Sequence, residues 1–341
     1  MTNPILIEVT RGPLVESRHR GALAIARPDG SLVLAMGDVS SNVFPRSAIK
    51  ALQSLQLIES GTAERFSFGD EEIALSCASH TGTQRHVSVA ARMLNKIGLE
   101  EGDLRCGVHP PLGAKANKCL CRSGGEPTQL HNNCSGKHAG MLAVARHLNE
   151  PLEDYYATSH PVQQRVHALL RELSGLELGA DTLGFDGCSL PNWAMPLQTM
   201  AHVFAKMVTG EGMSIARKAA FDTIFKACWN EPELIAGPGR LDTLVLGSWP
   251  GQVFIKTGAE GVYCGGFPQL GLGFALKVDD GATRASAGTT MAVVEQFLPL
   301  DSSTTYSPHA PRKILKSWNG APVGEVHSSS ELKRALAGIK L

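Results

Sequence analysis

The chain reads as an α+β protein, and three observations carry that reading. Strand patterns gather at both ends, helical patterns fill the middle, and the strict strand–helix alternation of a parallel sheet never sets in. Residues of about 1–45 and 250–330 are expected to supply one antiparallel sheet. Residues of about 46–249 form a mainly helical part, the whole being a single catalytic domain over 1–341. A chain of 341 residues can bury a substantial core and stand alone as an enzyme.

The elements follow in order. "GALAIARPDGSLVLAMG" (21–37) alternates apolar and other residues on both sides of a Pro-Asp-Gly turn, the pattern of a hairpin. From Ser47 the apolar positions Ala48, Ala51, Leu52, Leu55 and Ile58 keep helical spacing, and Gly61 stands where a C-terminal cap belongs. Further helical patterns run over about 84–97, 134–148, 161–174, 197–209 and 214–229, set apart by Pro and Gly. Past "AGPGR" (236–240) the character changes: "QVFIKTGAEGVYCGGF" and "LGLGFALKVDDG" read as strands, followed by a helix over about 283–298. "KILKSWNGAPVGEV" closes the sheet with a hairpin about Asn319-Gly320, the strongest short turn signal in the chain.

Composition narrows the function. Lys and Arg together number 32 and balance 32 Asp and Glu, so no basic surface points to nucleic acid or an anionic membrane. The expected partner is a small molecule. "MTNPILIEVT" lacks the basic and apolar pattern of a secretory leader, and no run of 18 apolar residues occurs, so a soluble, cytoplasmic protein is expected. The eight cysteines follow no framework spacing and are expected as free thiols, some of them candidates for a metal.

The stretch "NVFPRSAIKALQSL" (42–55) carries the chemistry. A serine hydroxyl is a weak nucleophile until a base removes its proton, and a neutral lysine amine is one of the few side chains able to do so near pH 7. Ser47 and Lys50, three apart at a helix start, share one face. The unsatisfied N–H groups there favour an alkoxide or an oxyanion. Keeping a lysine neutral near pH 7 costs roughly 4 kcal/mol, which requires burial or a second cation. Lys256-Thr257-Gly258, on an expected strand, supplies that cation and completes the S-x-x-K plus K-T-G pair of serine acyltransferases. Arg46, next to the serine, can clamp a substrate carboxylate through two parallel hydrogen bonds. Spacing alone makes Cys134 and His138, one helical turn apart, the metal pair. Cys119 and Cys121 read as structural or exposed thiols in a loop, and Arg240 takes no role.

"PRSAIK", "CASHTG" (77–82), "NNCSGKHAGML" (132–142), "DGCSLP" (186–191), "AGPGR" and "IKTGAEG" together resemble the rhizobial-type, class 3 L-asparaginases, which have a serine β-lactamase-like fold shared with penicillin-binding proteins. The resemblance spans most of the chain, from about Arg11 to Val326. It implies hydrolysis of the L-asparagine side-chain amide to L-aspartate and ammonia in a homodimer. Two Ser–Lys pairs are implied, Ser47 with Lys50 and Ser79 with Lys256. A zinc ion on Cys134, Lys137 and Cys188 is implied as well, its lysine ligand neutral when bound. His138 and Asp186 adjoin these ligands and are expected to orient metal-bound water or substrate. Ser47 is expected as nucleophile with Lys50 as base, because a helix start lies beneath it. The sequence does not choose between the two serines. A penicillin-binding or β-lactamase-like acyltransferase is the rival enzyme, set back by the lack of an S-D-N motif and of an export signal. A non-catalytic, zinc-stabilised amino-acid-binding protein is the rival from another class.

Overall fold

The computed structural model describes residues 2–298 and 312–340. Residues 299–311, inside the stretch expected to contribute to the sheet, lie outside them. The chain divides into two compact units, one of residues 1–43, 195–209 and 255–341, the other of residues 44–194 and 210–254. The helix of residues 197–209, expected with the helical part, belongs to the first unit.

The first unit holds the antiparallel sheet made from both chain ends. Its strands are β1 (Ile5–Arg11), β2 (Leu14–Ala26), β3 (Leu32–Met36), β8 (Phe254–Thr257), β9 (Val262–Phe267), β10 (Leu272–Val278), β11 (Arg312–Lys316) and β12 (Pro322–Ser328). The numbers between are two small pairs: β4 (Asn42–Val43) with β7 (Met195–Pro196), and β5 (Leu183–Phe185) with β6 (Pro191–Trp193). The large sheet runs β11-β12-β1-β2-β10-β9-β8, with β3 on β2. The second half of β2 and all of β9 are almost fully buried, so they read as continuous apolar runs, as strands covered on both faces do. The helix Leu197–Thr209 lies close against β10: a methyl group added at Gly273 would stand 2.2 Å from the Ala201 carbonyl oxygen and the Ala205 amide nitrogen.

Both hairpins form as expected. Leu23 pairs with Met36 across the first, and Lys313 with Val326 across the second. Gly320 turns the second at φ +89°, with nothing near the position of a Cβ. Gly320→Ala is therefore expected to cost about 1 kcal/mol, from backbone strain alone, measured by chemical denaturation.

The second unit is mainly helical. The expected helices appear as Gln84–Lys96, Ser135–His147, Pro161–Ser174 and Ile215–Asn230, the third with His160 as its N-cap and Gly175 at φ +69° as its C-cap. Three expectations change. The helix from Ser47 is a 3-10 turn, Arg46–Ile49, followed by two short α pieces, Lys50–Gln53 and Leu55–Glu59. Gly61 begins the next short helix rather than only closing the previous one. Cys119 and Cys121 are exposed, but on a helix, Ala114–Arg122, whose Ala, Lys and Leu content outweighs the flanking loop signals. A further helix, Leu241–Ser248, follows "AGPGR", where a short apolar run does not separate helix from strand. No described helix is long and apolar enough to cross a membrane.

Candidate active site

Three lysines, Lys50, Lys137 and Lys256, are among the largest fully buried side chains of the described chain. Lysine is almost never fully buried without partners, so each marks a place where the fold has arranged acceptors. Two lie in the helical unit and one in the sheet unit.

Lys50 opens the helix Lys50–Gln53 and is 0 % exposed. Its Nζ donates to the Ala78 carbonyl, to Ser79 Oγ at 3.0 Å and to Cys134 Sγ at 3.1 Å. These use all three donors of an ammonium. When the amine is neutral, its lone pair can instead accept the Ser79 hydroxyl proton. Ser79 is half-buried and held by its own N–H on the Ile235 carbonyl at 2.9 Å. His80 beyond it is locked between the Asn133 carbonyl and Ser135 Oγ, the latter at 2.9 Å.

Ser47, also half-buried, sits in the 3-10 turn, where side chains three apart eclipse. Its hydroxyl has no hydrogen bond among the described residues. The residue before it, Arg46, is held at φ +52°. A bulky residue in the left-handed region costs about 1–2 kcal/mol and persists where a site demands it. Arg46 Nε donates to Asp186 Oδ1 at 2.5 Å, and Asn192 Nδ2 to Asp186 Oδ2 at 3.1 Å. Burial works against the Asp186 charge, yet Lys137, Arg46 and Asn192 hold its carboxyl below the usual range. Asp186 also borders a cavity of about 510 Å³ that Tyr156, Phe185 and Ser189 help to line.

The cysteines converge beneath this. Cys134 immediately precedes the helix Ser135–His147, with its N–H on Asn132 Oδ1 at 2.8 Å. Gly136 lets that helix press on the helix Asp70–Ser76: a Cβ there would be 2.4 Å from the Leu75 carbonyl oxygen. Lys137 Nζ donates to Cys188 Sγ at 3.1 Å. The Cys134 and Cys188 thiols act on each other and are driven apart: the influence of Cys188 and burial push Cys134 up, while the influence of Cys134 and the Lys137 charge bring Cys188 down to about 5. Burial opposes the charge on Lys137, but the two sulfurs and Asp186 raise it above the ordinary lysine value. The pocket thus gathers two sulfurs and a lysine nitrogen, with Cys188 the sulfur that gives up its proton more readily.

Two sulfurs and one nitrogen gathered in a dry pocket suit zinc, with a fourth position to spare. The described residues form no group of three or more His, Cys, Asp or Glu able to hold a metal, so a three-ligand set here has to include the lysine.

His138 is fully buried, and burial first, then the Lys137 charge, lowers it to about 3. Its Nδ1 is 2.6 Å from the Tyr155 hydroxyl, while Nε2 has no partner. Tyr155 also accepts the Arg105 N–H at 2.9 Å. Donation of the phenol proton to Nδ1 pairs the Tyr155 hydroxyl with the ring and leaves the proton of His138 on Nε2, a buried donor with no partner among the described residues. Asn132, Tyr155 and Asn192 escaped sequence reasoning. Asn132 stands inside "NNCSGK", where the doubled asparagine before a cysteine was an available signal. Tyr155 and Asn192 had none.

Lys256 lies in the sheet unit on β8, 0 % exposed, with Nζ donating to the Thr257 carbonyl at 3.1 Å.

Linkage fixes a pH response for the metal-free protein. Cys188 is lowered from the ordinary 9.0 to about 5, so its contribution to stability is complete above pH 9.0. It falls away as pH drops toward about 5. Lys137 is raised and keeps its contribution throughout that window. The melting-temperature gap between chelator-treated wild type and Cys188→Ser is therefore expected to narrow as pH falls. A gap independent of pH is the contrary outcome.

A family model described as L-asparaginase II matches residues 7–328. No curated protein matches at a significant level. Among solved structures, the chain is similar to one described as Mglu in its native form, at 14% identity over 84% of this chain and 67% of that one, with a TM-score of 0.43. It is also similar to a β-lactamase from Mycobacterium bovis, at 12% identity over 78% and 89% of the two chains, with a TM-score of 0.36.

Proposed function

Since the chain belongs to the L-asparaginase II family, we propose that it hydrolyses the side-chain amide of L-asparagine by a serine–lysine double displacement of the class 3, rhizobial type. The observation that carries this is the buried Lys50 amine, held 3.0 Å from Ser79 Oγ.

In this reading Ser47 is the nucleophile, since its hydroxyl makes no hydrogen bond among the described residues and follows a strained residue. Ser79 and Lys50 are the proton-accepting pair. Ser47 Oγ attacks the amide carbon while its proton passes to the Lys50 amine, and backbone N–H groups of the 3-10 turn face the oxyanion. The C–N bond then breaks, the amide nitrogen takes the proton back from Lys50 and leaves as ammonia, and an ester to Ser47 remains. Water attacks the ester, gives one proton to Lys50, and aspartate departs as the serine is reprotonated. Lys256 is assigned a supporting cationic role. The Arg46 guanidinium, aimed by Asp186, receives the substrate carboxylate through its terminal N–H groups.

Cys134, Lys137 and Cys188 are proposed to hold zinc. When bound, the ion supplies a positive charge that positions the substrate rather than activating the serine. His138 and Asn132 keep the ligand-bearing helix start in place. Because the thiol and the ammonium must shed protons to bind, affinity falls as pH drops. A homodimer in the cytoplasm belongs to the same reading, its dimeric state measurable by light scattering.

The test is ammonia release from asparagine and from glutamine, with and without a chelator, together with mass analysis of the enzyme quenched during turnover. Release from asparagine and an aspartyl adduct on Ser47 are expected. An adduct on Ser79 reverses the roles of the serines, and no ammonia from asparagine removes the activity.

A further inference from the structure

A cavity of about 800 Å³ lies in the helical unit outside the groups used above. Thr81, Leu112, Lys115, Leu120 and Arg240 are among its lining residues, and no Asp or Glu lines it. Lys115 and Arg240 make no ion pair among the described residues. Two cations facing one cavity with no acid to neutralise them create a standing positive potential.

Three segments of chain meet at Thr81. The Gly113 N–H donates to its carbonyl at 2.9 Å, and a Cβ at Gly113 would come within 3.0 Å of the Thr81 Cβ. At Gly237, held at φ +116°, a Cβ would come within 1.9 Å of Thr81 Oγ1. Thr81 is only 7 % exposed, yet its hydroxyl has no hydrogen-bond partner among the described residues. The hydroxyl is therefore an uncommitted donor for a group arriving in the cavity. Gly113 also begins the nine-residue helix Ala114–Arg122, which has no side-chain cap. Its first-turn N–H groups therefore add a further anion-seeking feature to the same wall. Leu112 and Leu120 offer apolar surface between the polar groups.

We propose that this cavity is a binding site for a small dicarboxylate. Arg240 takes one carboxylate through its planar fork, Lys115 and the helix start take the other, and the Thr81 hydroxyl donates to the nearer. If the asparaginase reading holds, on which this choice of ligand rests, the dicarboxylate at hand is the product L-aspartate. The substrate, which has one carboxylate, binds there more weakly. Thr81 is two residues beyond Ser79, so an occupied cavity braces the segment that carries the Lys50-bound hydroxyl and slows turnover as product accumulates.

Calorimetry with succinate and with L-aspartate tests this on the wild type, on Ser47→Ala, on Thr81→Val and on the double variant Lys115→Gln/Arg240→Gln. Both replaced cations are exposed, so the double variant is expected to fold. Saturable succinate binding is expected in the wild type and undiminished in Ser47→Ala. It should weaken about tenfold or more in the double variant, as the loss of hydrogen bonds to charged groups implies, and less in Thr81→Val. Inhibition of asparagine turnover by aspartate is expected to weaken in parallel. Absent succinate binding, or succinate binding equal in wild type and double variant, overturns the proposal. Because succinate binding is read without turnover, a protein inactive on asparagine loses the asparaginase reading while the site stands or falls separately.

Discussion

Lys50→Met is expected to lower ammonia release from asparagine by about 10²–10⁴-fold, the range that general-base catalysis supplies. Methionine has nearly the length and volume of lysine, so the buried space stays filled. What is lost is the amine: the Ala78 carbonyl, Ser79 Oγ and Cys134 Sγ all lose their shared donor. Stranding buried acceptors costs about 1–3 kcal/mol, which a melting curve records separately from the rate. The effect should fall on kcat, because the amine moves a proton only as the reaction proceeds. Activity within severalfold of wild type, in a protein that melts normally, removes Lys50 from the mechanism.

Gly136→Val is expected to disrupt the site from a residue that does no chemistry. Even the first added carbon stands 2.4 Å from the Leu75 carbonyl oxygen and 2.5 Å from Leu75 Cγ, and a backbone oxygen within a helix cannot swing aside. Overpacking of this kind costs about 3 kcal/mol or more. Relief comes from moving the helix Ser135–His147 outward, which carries Cys134 away from Lys50 and Lys137 away from Cys188. Stability, activity and zinc content measured by atomic absorption should therefore fall together. Gly102→Ala is the control, since nothing lies near the Cβ position there; it should leave all three unchanged. Full zinc content in a folded Gly136→Val protein would separate the metal from this packing.

The legible parts of the chain were those with local signatures. The helix of residues 161–174 was bounded to the residue, because a proline at its first position and a glycine beyond its end are backbone effects of neighbouring residues. The hairpin about Gly320 was legible for the same reason. The run from Ser47 was less so: its apolar spacing marked the buried face correctly, but spacing does not reveal that the backbone winds as 3-10 and then restarts.

Within the candidate site, Cys134 and His138 looked like a pair because they lie one turn apart. In the fold, His138 turns to Tyr155 while the Cys134 sulfur accepts from Lys50 Nζ. Arg46 looked free for substrate, and it spends its Nε on Asp186, 140 residues away.

The order of amino acids by itself determined where the longer strands and helices and the clearest turns begin, and which hydroxyls, amines and thiols were available. These depend on periodicity, caps and turn chemistry acting over a few residues. Only the tertiary structure decided that Lys50 meets Ser79, 29 positions on, and Cys134, 84 positions on, and that Lys137 meets Cys188 across 51. Such meetings depend on how closely helices pack, down to the missing side chain of Gly136, and packing distance is a property of surfaces in contact that no local pattern encodes.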